Sequence, residues 1–303
     1  MKQLFLISFS CILLTANAQD WNIHKVGDGG WEVEQEFTLN KKRRNILLIS
    51  EASAYTIALV GLNQLWYAAY DKSDFHFIND NGEWLQMDKM GHMTASYYTG
   101  VAGIKAYQWA GFSRKDAIWY GGMTGSFFLT IIEILDGHSD KWGASSGDLI
   151  ANTSGSLLAI SQALKWNEQK IQLKYSYSPS KWAEGNLQLG GNHLERALKD
   201  YNGQTYWLSF NMKSLLNIEQ EEFPNWLNLA VGYSGDNMTN PYHEEGDDER
   251  KRQYLLSLDV DLTKINTKNK TLNSVLHTFG FLKFPAPAIQ YTNGNIFFHP
   301  IYY

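Results

Sequence analysis

The stretch IIEILDGHSDKWGASSGDLIAN, residues 131–152, carries the end of one apolar segment, a short charged connection and the start of another segment. Two helices joined so closely are expected to run antiparallel. Ser145 stands three residues before Asp148, the spacing at which a hydroxyl caps a first helical turn. The stretch also holds more polar groups than helix ends require: Glu133, Asp136, His138 and Asp140, then Asp148 and Asn152. A carboxylate near a helix C-terminus opposes the helix dipole, so Glu133 and Asp136 each need a compensating neighbour. Lys89, His92, His138 and Lys141 are the candidates within reach.

Outward from this stretch, the helical pattern runs from Arg43 to Trp166. A first segment, RRNILLISEASAYTIALVGLNQLWYAAY, is apolar apart from Glu51, Asn63 and Gln64. A second spans about Leu85 to Ala110. A third begins at Ser113, with Asp116 in the capping-box position, and is uncharged from Ala117 to Ile132. The fourth begins at Ser145 and ends near Trp166. Short connections favour an antiparallel four-helix bundle over residues 43–167.

The third segment approaches the ~20 apolar residues of a membrane span. Glycines at 100, 103, 121, 122, 125 and 155 allow the close helix contact that membrane bundles favour. Lys105 in the second helix and the Ser, Thr and Asn residues of the fourth fit a buried periplasmic bundle equally well. Both placements stay open at this point.

After Trp166 the period falls from 3.6 to two. KIQLKYSYS, TYWLSFNM, LNLAVGYS and YLLSLDVDL each alternate an apolar with a mostly polar face, as antiparallel strands do. Aromatic-rich apolar faces opposite small polar ones also fit strands of an outer-membrane barrel. A closed lipid barrel begins at about eight strands, however, and only four good ones and one or two poor ones are found. A sheet over residues 168–303 packed on the helices is therefore the first expectation, and a barrel the alternative. HEEGDDER, 243–250, reads as a solvated loop, and Pro285 and Pro287 are expected to interrupt regular structure. The fold class is therefore α+β.

The chain has 303 residues, 44 % of them hydrophobic, and a net charge of −5, so nothing in it suggests a nucleic-acid partner, which would need a basic face. Residues 1–18 read as a signal peptide closing on Ala16-Asn17-Ala18, followed by an N-terminal extension over 19–42. The one cysteine, Cys11, lies inside that signal and is poorly placed for lipid attachment. An exported chain in the periplasm or outer membrane of a Gram-negative-type envelope is the expected setting.

In an antiparallel bundle the start of the second helix, the end of the third and the start of the fourth share one rim. Asp88 and His92 are four apart, Glu133 and Asp136 three apart, and Asp148 and Asn152 four apart, each pair on one helical face. Such a rim is most often a network of ion pairs and caps. Two chemical readings stand beside it. Oxygen ligands and one imidazole suit a divalent cation, although neither a cofactor nor a metal is specified by the residues. Alternatively, His92 with Glu133 and Asp136 forms a catalytic acid–base set, with Asp88, Lys89, Asp148 and Asn152 binding. No phosphate loop or H-E-x-x-H motif is present.

MDKMGH, GFSRKDA and IIEILDGHSDKWGASSGDLIANTSGSLLAI resemble the predicted periplasmic lipoprotein family of unknown function that includes the YfiM-like lipoproteins. The order D-K-x-x-H, a helix-ending E, then D-x-x-x-N with a following Gly is similar to the VanZ-like membrane proteins. Those positions are Asp88, Lys89 and His92, then Glu133, Asp136 and Gly137, then Asp148, Asn152 and Gly155. The resemblance covers roughly residues 45–165. It implies a VanZ-like bundle and an envelope location, and supplies no activity. A membrane-associated binding or structural role is the first expectation, with an envelope lipid or the membrane as partner and the oligomeric state open. An envelope-lipid hydrolase or transferase is the second.

Overall fold

A computed structural model of the protein describes residues 38–68, 70–246 and 248–303. The expected signal peptide and residues 19–37 of the extension lie outside the described residues. Helix α1, Lys41–Leu62, starts at Asn40, whose side chain accepts from Arg43 N, and runs on through a wider turn, Asn63–Tyr67. Strand β1, Phe77–Ile78, pairs in parallel with β2, Ala144–Ser145. Helix α2 is Met87–Trp109, α3 is Arg114–Gly137 with a wider turn at Ala117–Gly121, and α4 is Ser146–Trp166. The expected caps are formed: Ser113 accepts from Asp116 N, and Ser145 from Asp148 N.

Helices α2, α3 and α4 pack at backbone distance because glycines line their contacts. A Cβ on Gly103 would lie 2.1 Å from the Gly121 carbonyl oxygen, and one on Gly155 2.1 Å from that of Met93. Met87, Ala95, Phe128, Leu129 and Ile132 are fully enclosed, as are Tyr97, Ile118 and Ile160. Helix α1 is not an equal fourth member. It lays Leu47, Ala54, Ala58 and Leu62 on the others and leaves Ile49 and Ile57 about two-thirds exposed. Apolar residues occur on all its sides, so one neighbour cannot cover them.

The second half is a six-stranded antiparallel meander. Its strands are β3 Ile171–Tyr177, β4 Gln204–Asn211, β5 Leu227–Asp236, β6 Lys251–Val260, β7 Ala286–Thr292 and β8 Asn295–Tyr302. Short helices α5 His193–Lys199, α6 Met212–Leu216 and α7 Lys270–Thr278 lie in the connections. Pro285 lies in irregular backbone just before β7, as expected, and the expectation is corrected at Pro287. Pro287 lies within β7, where the pairing with β8 shifts register between Ala286 and Ala288, a place where a missing N–H is tolerated. Asn293 and Gly294, at φ 47° and 82°, make the tight turn of the β7–β8 hairpin.

The sheet curls. Thr205 Oγ1 on β4 meets Tyr302 OH on β8 at 3.0 Å, and the Trp207 ring packs edge-on against Tyr302. The space it encloses holds a small apolar cluster of Trp207, Ala230, Leu255 and Ala288 beside a polar, ion-paired network. Lys174 and Asp259 pair there at 2.8 Å with both side chains wholly buried. Ser209 donates to Asp259 at 2.6 Å, Asn228 to Ser209 at 2.8 Å, and Lys283 to the carbonyls of Leu258 and Phe284. The apolar face points the other way. On β3 and β4 it packs on the helices, as expected: Leu173 and Leu208 join Tyr97, Ile118 and Ile160. On β5 that face is half covered, with Tyr233 packed beneath the turn that enters α2, and on β6–β8 it is largely bare. The expected packing of the whole sheet on the helices therefore holds in full for its first two strands alone.

Candidate functional site

The rim forms where α2 and α4 begin and α3 ends. Three consecutive left-handed residues, Trp84, Leu85 and Gln86, lead into α2 at φ 47°, 52° and 66°. Non-glycine residues adopt that region at a cost, and here the surroundings hold it. Trp84 is buried against Tyr201, while the Leu85 carbonyl accepts from Tyr233 OH at 2.5 Å and from Arg252 at 3.2 Å. This turn sets the start of α2 and therefore the positions of Asp88, Lys89 and His92.

His92 is the hub. Its Nδ1 meets Asn152 Oδ1 at 2.9 Å, and its Nε2 faces Asp88 at 3.8 Å and Asp148 at 4.0 Å. Burial works against a charged ring, but the carboxylates of Asp148, Asp88 and Glu133 outweigh it and raise the imidazole pKa. Lys89 lies 3.0 Å from Asp148, 3.9 Å from Asp88 and 2.5 Å from Asp80. Its ammonium is desolvated, yet those three carboxylates hold its pKa above the ordinary lysine value. Glu133 is 2 % exposed, and burial, reinforced by the nearby Asp148 and Asp136 charges, lifts its pKa to about 7 against His92 and a hydrogen bond from Ser145 N. Burial likewise lifts Asp148 to about 6, with His92 and Lys89 opposing.

The dipole problem at the end of α3 is solved locally. Glu133 accepts from Ser145 N at 2.9 Å, a backbone donor at the mouth of α4. Asp136 accepts from Tyr67 OH at 2.6 Å. Lys89 and His92 are the cationic partners of the cluster, whereas His138 packs its ring edge-on against Phe75. Asp136 is thus held by the tail of α1, while Asp88, Lys89, His92, Asp148 and Asn152 form one continuous network with Glu133 beside it.

Three members escaped the helical reading. Asp80 follows β1 and joins Lys89 to Ser145 Oγ, each at 2.5 Å. The two-residue β1–β2 ladder sets Ile78 beside Ser145 and so places Asp80 there. Tyr201, far along the chain, donates to Asp88 at 2.9 Å. Tyr67 is the third. No local pattern marks any of them.

The donor set has a metal-like corner: Asp88, His92 and Asp148 each bring a ligand atom within 4.8 Å of the others. The Lys89 ammonium already supplies a cation to two of these carboxylates. Among the described residues, Asn152 Nδ2 is buried without a hydrogen-bond partner, and Asp148 Oδ1 is buried with the ammonium as its partner by charge.

Fold and cluster together define an α+β protein with a buried mixed-charge network between a helical layer and a curled sheet. Residues 74–163 match the model of a family described as predicted periplasmic lipoprotein (DUF2279). That range includes Asp80 and the network from Asp88 to Asn152, and leaves out Tyr67 and Tyr201. The description agrees with an exported, periplasmic chain whose function is uncharacterised. No curated protein and no solved structure matches.

Proposed function

We propose that this is a membrane-associated envelope protein in which the Asp88–Lys89–His92–Asp148–Asn152 network has a binding or structural role, fixing the helical layer against the sheet. The observation that carries the membrane part is α1. It is 22 residues long with a mean hydropathy of 1.5 over its best window, and 22 % of that window is buried. A helix this apolar and this uncovered is costly in water, at about 25 cal/mol per Å² of apolar surface. Tyr201 supports the joining role, because it brings the strand-bearing half onto a helix of the other half. The resemblance of the D-K-x-x-H and D-x-x-x-N order to that of VanZ-like membrane proteins is in keeping with this reading. The test is flotation of the full chain with phosphatidylethanolamine/phosphatidylglycerol vesicles after a high-salt wash. Retention on the vesicles is expected. A chain that stays monomeric and soluble without detergent, and does not float, overturns the reading.

A second reading draws on Glu133, whose pKa near 7 beside His92 suits general acid–base work. It makes the protein an envelope-lipid hydrolase or transferase using His92, Glu133 and Asp136, metal-assisted in one version. Asp136 is engaged by Tyr67, which leaves His92 and Glu133 as its core. Release of fatty acid or headgroup from mixed lipid micelles, lost in His92→Ala and Glu133→Gln proteins that remain folded, would establish it. No turnover would retire it.

A further inference from the structure

A sheet in a water-soluble protein buries its apolar face and wets its polar one. In strands β5–β8 the order is reversed. The enclosed face of these strands carries Asn228, Ser234, Ser257, Asp259 and Gln290, all buried, beside the smaller apolar group Ala230, Leu255 and Ala288. The outward face carries Val231, Leu256, Leu258, Ile289 and Phe298, all between 45 % and 67 % exposed.

The strand register arranges the outward residues in rows. Tyr175, Tyr206, Tyr233, Tyr254 and Tyr291 stand side by side across five consecutive strands. The next row is aliphatic and aromatic: Leu208, Val231, Leu256, Ile289 and Phe298. The row after that pairs Phe210 with Leu229 and Leu258, and Leu227 with Val260 completes the band. Charged side chains gather beyond the tyrosines: Arg252 and Lys251 on β6, opposite Gly235 and Asp236. From Tyr254 to Val260 the strand rises about 20 Å, at about 3.4 Å per residue.

We propose that the outward face of β5–β8 contacts the hydrocarbon of a phospholipid bilayer, with its tyrosine row at the headgroup level. The proposal rests on the membrane-associated reading and assigns the sheet, and not the helices alone, to the lipid. Three features select lipid over a second protein. Tyr254 and Tyr291, each about half exposed, border the aliphatic band as the residues of an interfacial aromatic belt do, with a wet phenol and an apolar ring, while Tyr233 gives its hydroxyl to the Leu85 carbonyl. Charge appears at the end beyond the belt and not within the band, as the graded polarity of a bilayer demands. The sheet keeps its buried ion pair, Lys174 with Asp259, on the enclosed face, turned away from the surface given to lipid. At β3 and β4 the same rows continue beneath the helices, where Tyr175 and Tyr206 are buried. The helices therefore provide the apolar cover at one side of the sheet that lipid provides at the other.

The chain has one cysteine, Cys11, so a Cys11→Ser background allows single-site labelling. Leu256→Cys, Leu258→Cys, Ile289→Cys and Phe298→Cys, with Glu245→Cys as an aqueous control and Tyr291→Cys at the belt, would each carry an environment-sensitive fluorophore on the full chain. The proteins are reconstituted in phosphatidylethanolamine/phosphatidylglycerol vesicles and quenched with spin-labelled lipids or aqueous iodide. Lipid quenching of the four band sites several-fold above Glu245 is expected, with Tyr291 quenched best by the shallow spin label. Iodide quenching of the band sites to the level of Glu245 in protein that floats overturns the sheet assignment while membrane association stands. Failure to float removes both. Disulfide-linked dimers through Leu256→Cys, with no lipid quenching, would assign the face to a second copy and likewise overturn the proposal.

Discussion

Tyr201 donates its hydroxyl to Asp88 at 2.9 Å, joining residues 113 positions apart and linking the turn before β4 to the first turn of α2. The phenol is enclosed, and burial together with the Asp88 charge raises its pKa well above the ordinary value, so it donates at every working pH. Asp88 also faces His92 and Lys89, so this bond fastens the sheet-bearing half to the charged hub.

Removing that hydroxyl leaves a half-buried carboxylate with one donor fewer. Tyr201→Phe is expected to cost about 1.5–3 kcal/mol, the range for a hydrogen bond to a charged group. Denaturant unfolding checks it, and a double-mutant cycle with Asp88→Asn should return a coupling well above zero. Additive effects would mean that the bond does not join the halves.

The pH response follows from Glu133. Its folded pKa is about 7 against an ordinary value of 4.5, so the folded state keeps a proton that the unfolded chain releases between those values. Stability is then greatest below about pH 4.5 for this group and falls as pH rises to about 7, by on the order of 3 kcal/mol at most. His92 acts in the same direction, because its raised pKa contributes stability that is lost as pH climbs through the folded value. Thermal unfolding from pH 5 to 8 should therefore show a falling Tm, and Glu133→Gln, which keeps an acceptor for Ser145 N, should flatten the fall. A rising Tm over that interval contradicts the assignment.

Close approach of α2 and α3 depends on Gly103. A methyl there meets the Gly121 carbonyl oxygen at 2.1 Å and Thr124 Oγ1 at 2.5 Å, and backbone cannot yield as a side chain does. Gly103→Ala should lose about 3 kcal/mol, near the upper end for overpacking, although alanine is the better helix former. Gly61→Ala is the control, since a methyl there meets nothing within 4 Å. It should be neutral or slightly stabilising.

Within the curled sheet, Lys174→Met leaves Asp259 buried without its cation, at a cost of about 3–5 kcal/mol. Adding Asp259→Asn removes the stranded charge, so the double variant should recover part of the loss. Equal losses in single and double variants would show that the Lys174 ammonium matters for its bond to the Val260 carbonyl and not for the ion pair.

Much of the helical half was legible. The Ser113 and Ser145 caps and the apolar runs set α3 and α4 nearly to the residue, because capping and 3.6-residue periodicity are local. The paired spacings of Asp88 with His92 and Asp148 with Asn152 placed those groups on common faces for the same reason. The β7–β8 hairpin had a legible signal as well: Asn293-Gly294 between alternating apolar residues marks a two-residue turn. Pro285 and Pro287 obscured it, and only the register shift beside Pro287 explains how the strand accommodates that residue.

What the chain alone determined is therefore where the helices start and stop, that the second half alternates, and which polar groups share a helical face. Each depends on atoms a few residues apart. Tertiary structure decided that α1 stands partly bare, that Asp80, Tyr67 and Tyr201 complete the network, and which side of the sheet is enclosed. Alternation names two faces but not their surroundings. The inside of β5–β8 was set by curvature and by the Lys174–Asp259 pair, which form only when strands distant in sequence close around them.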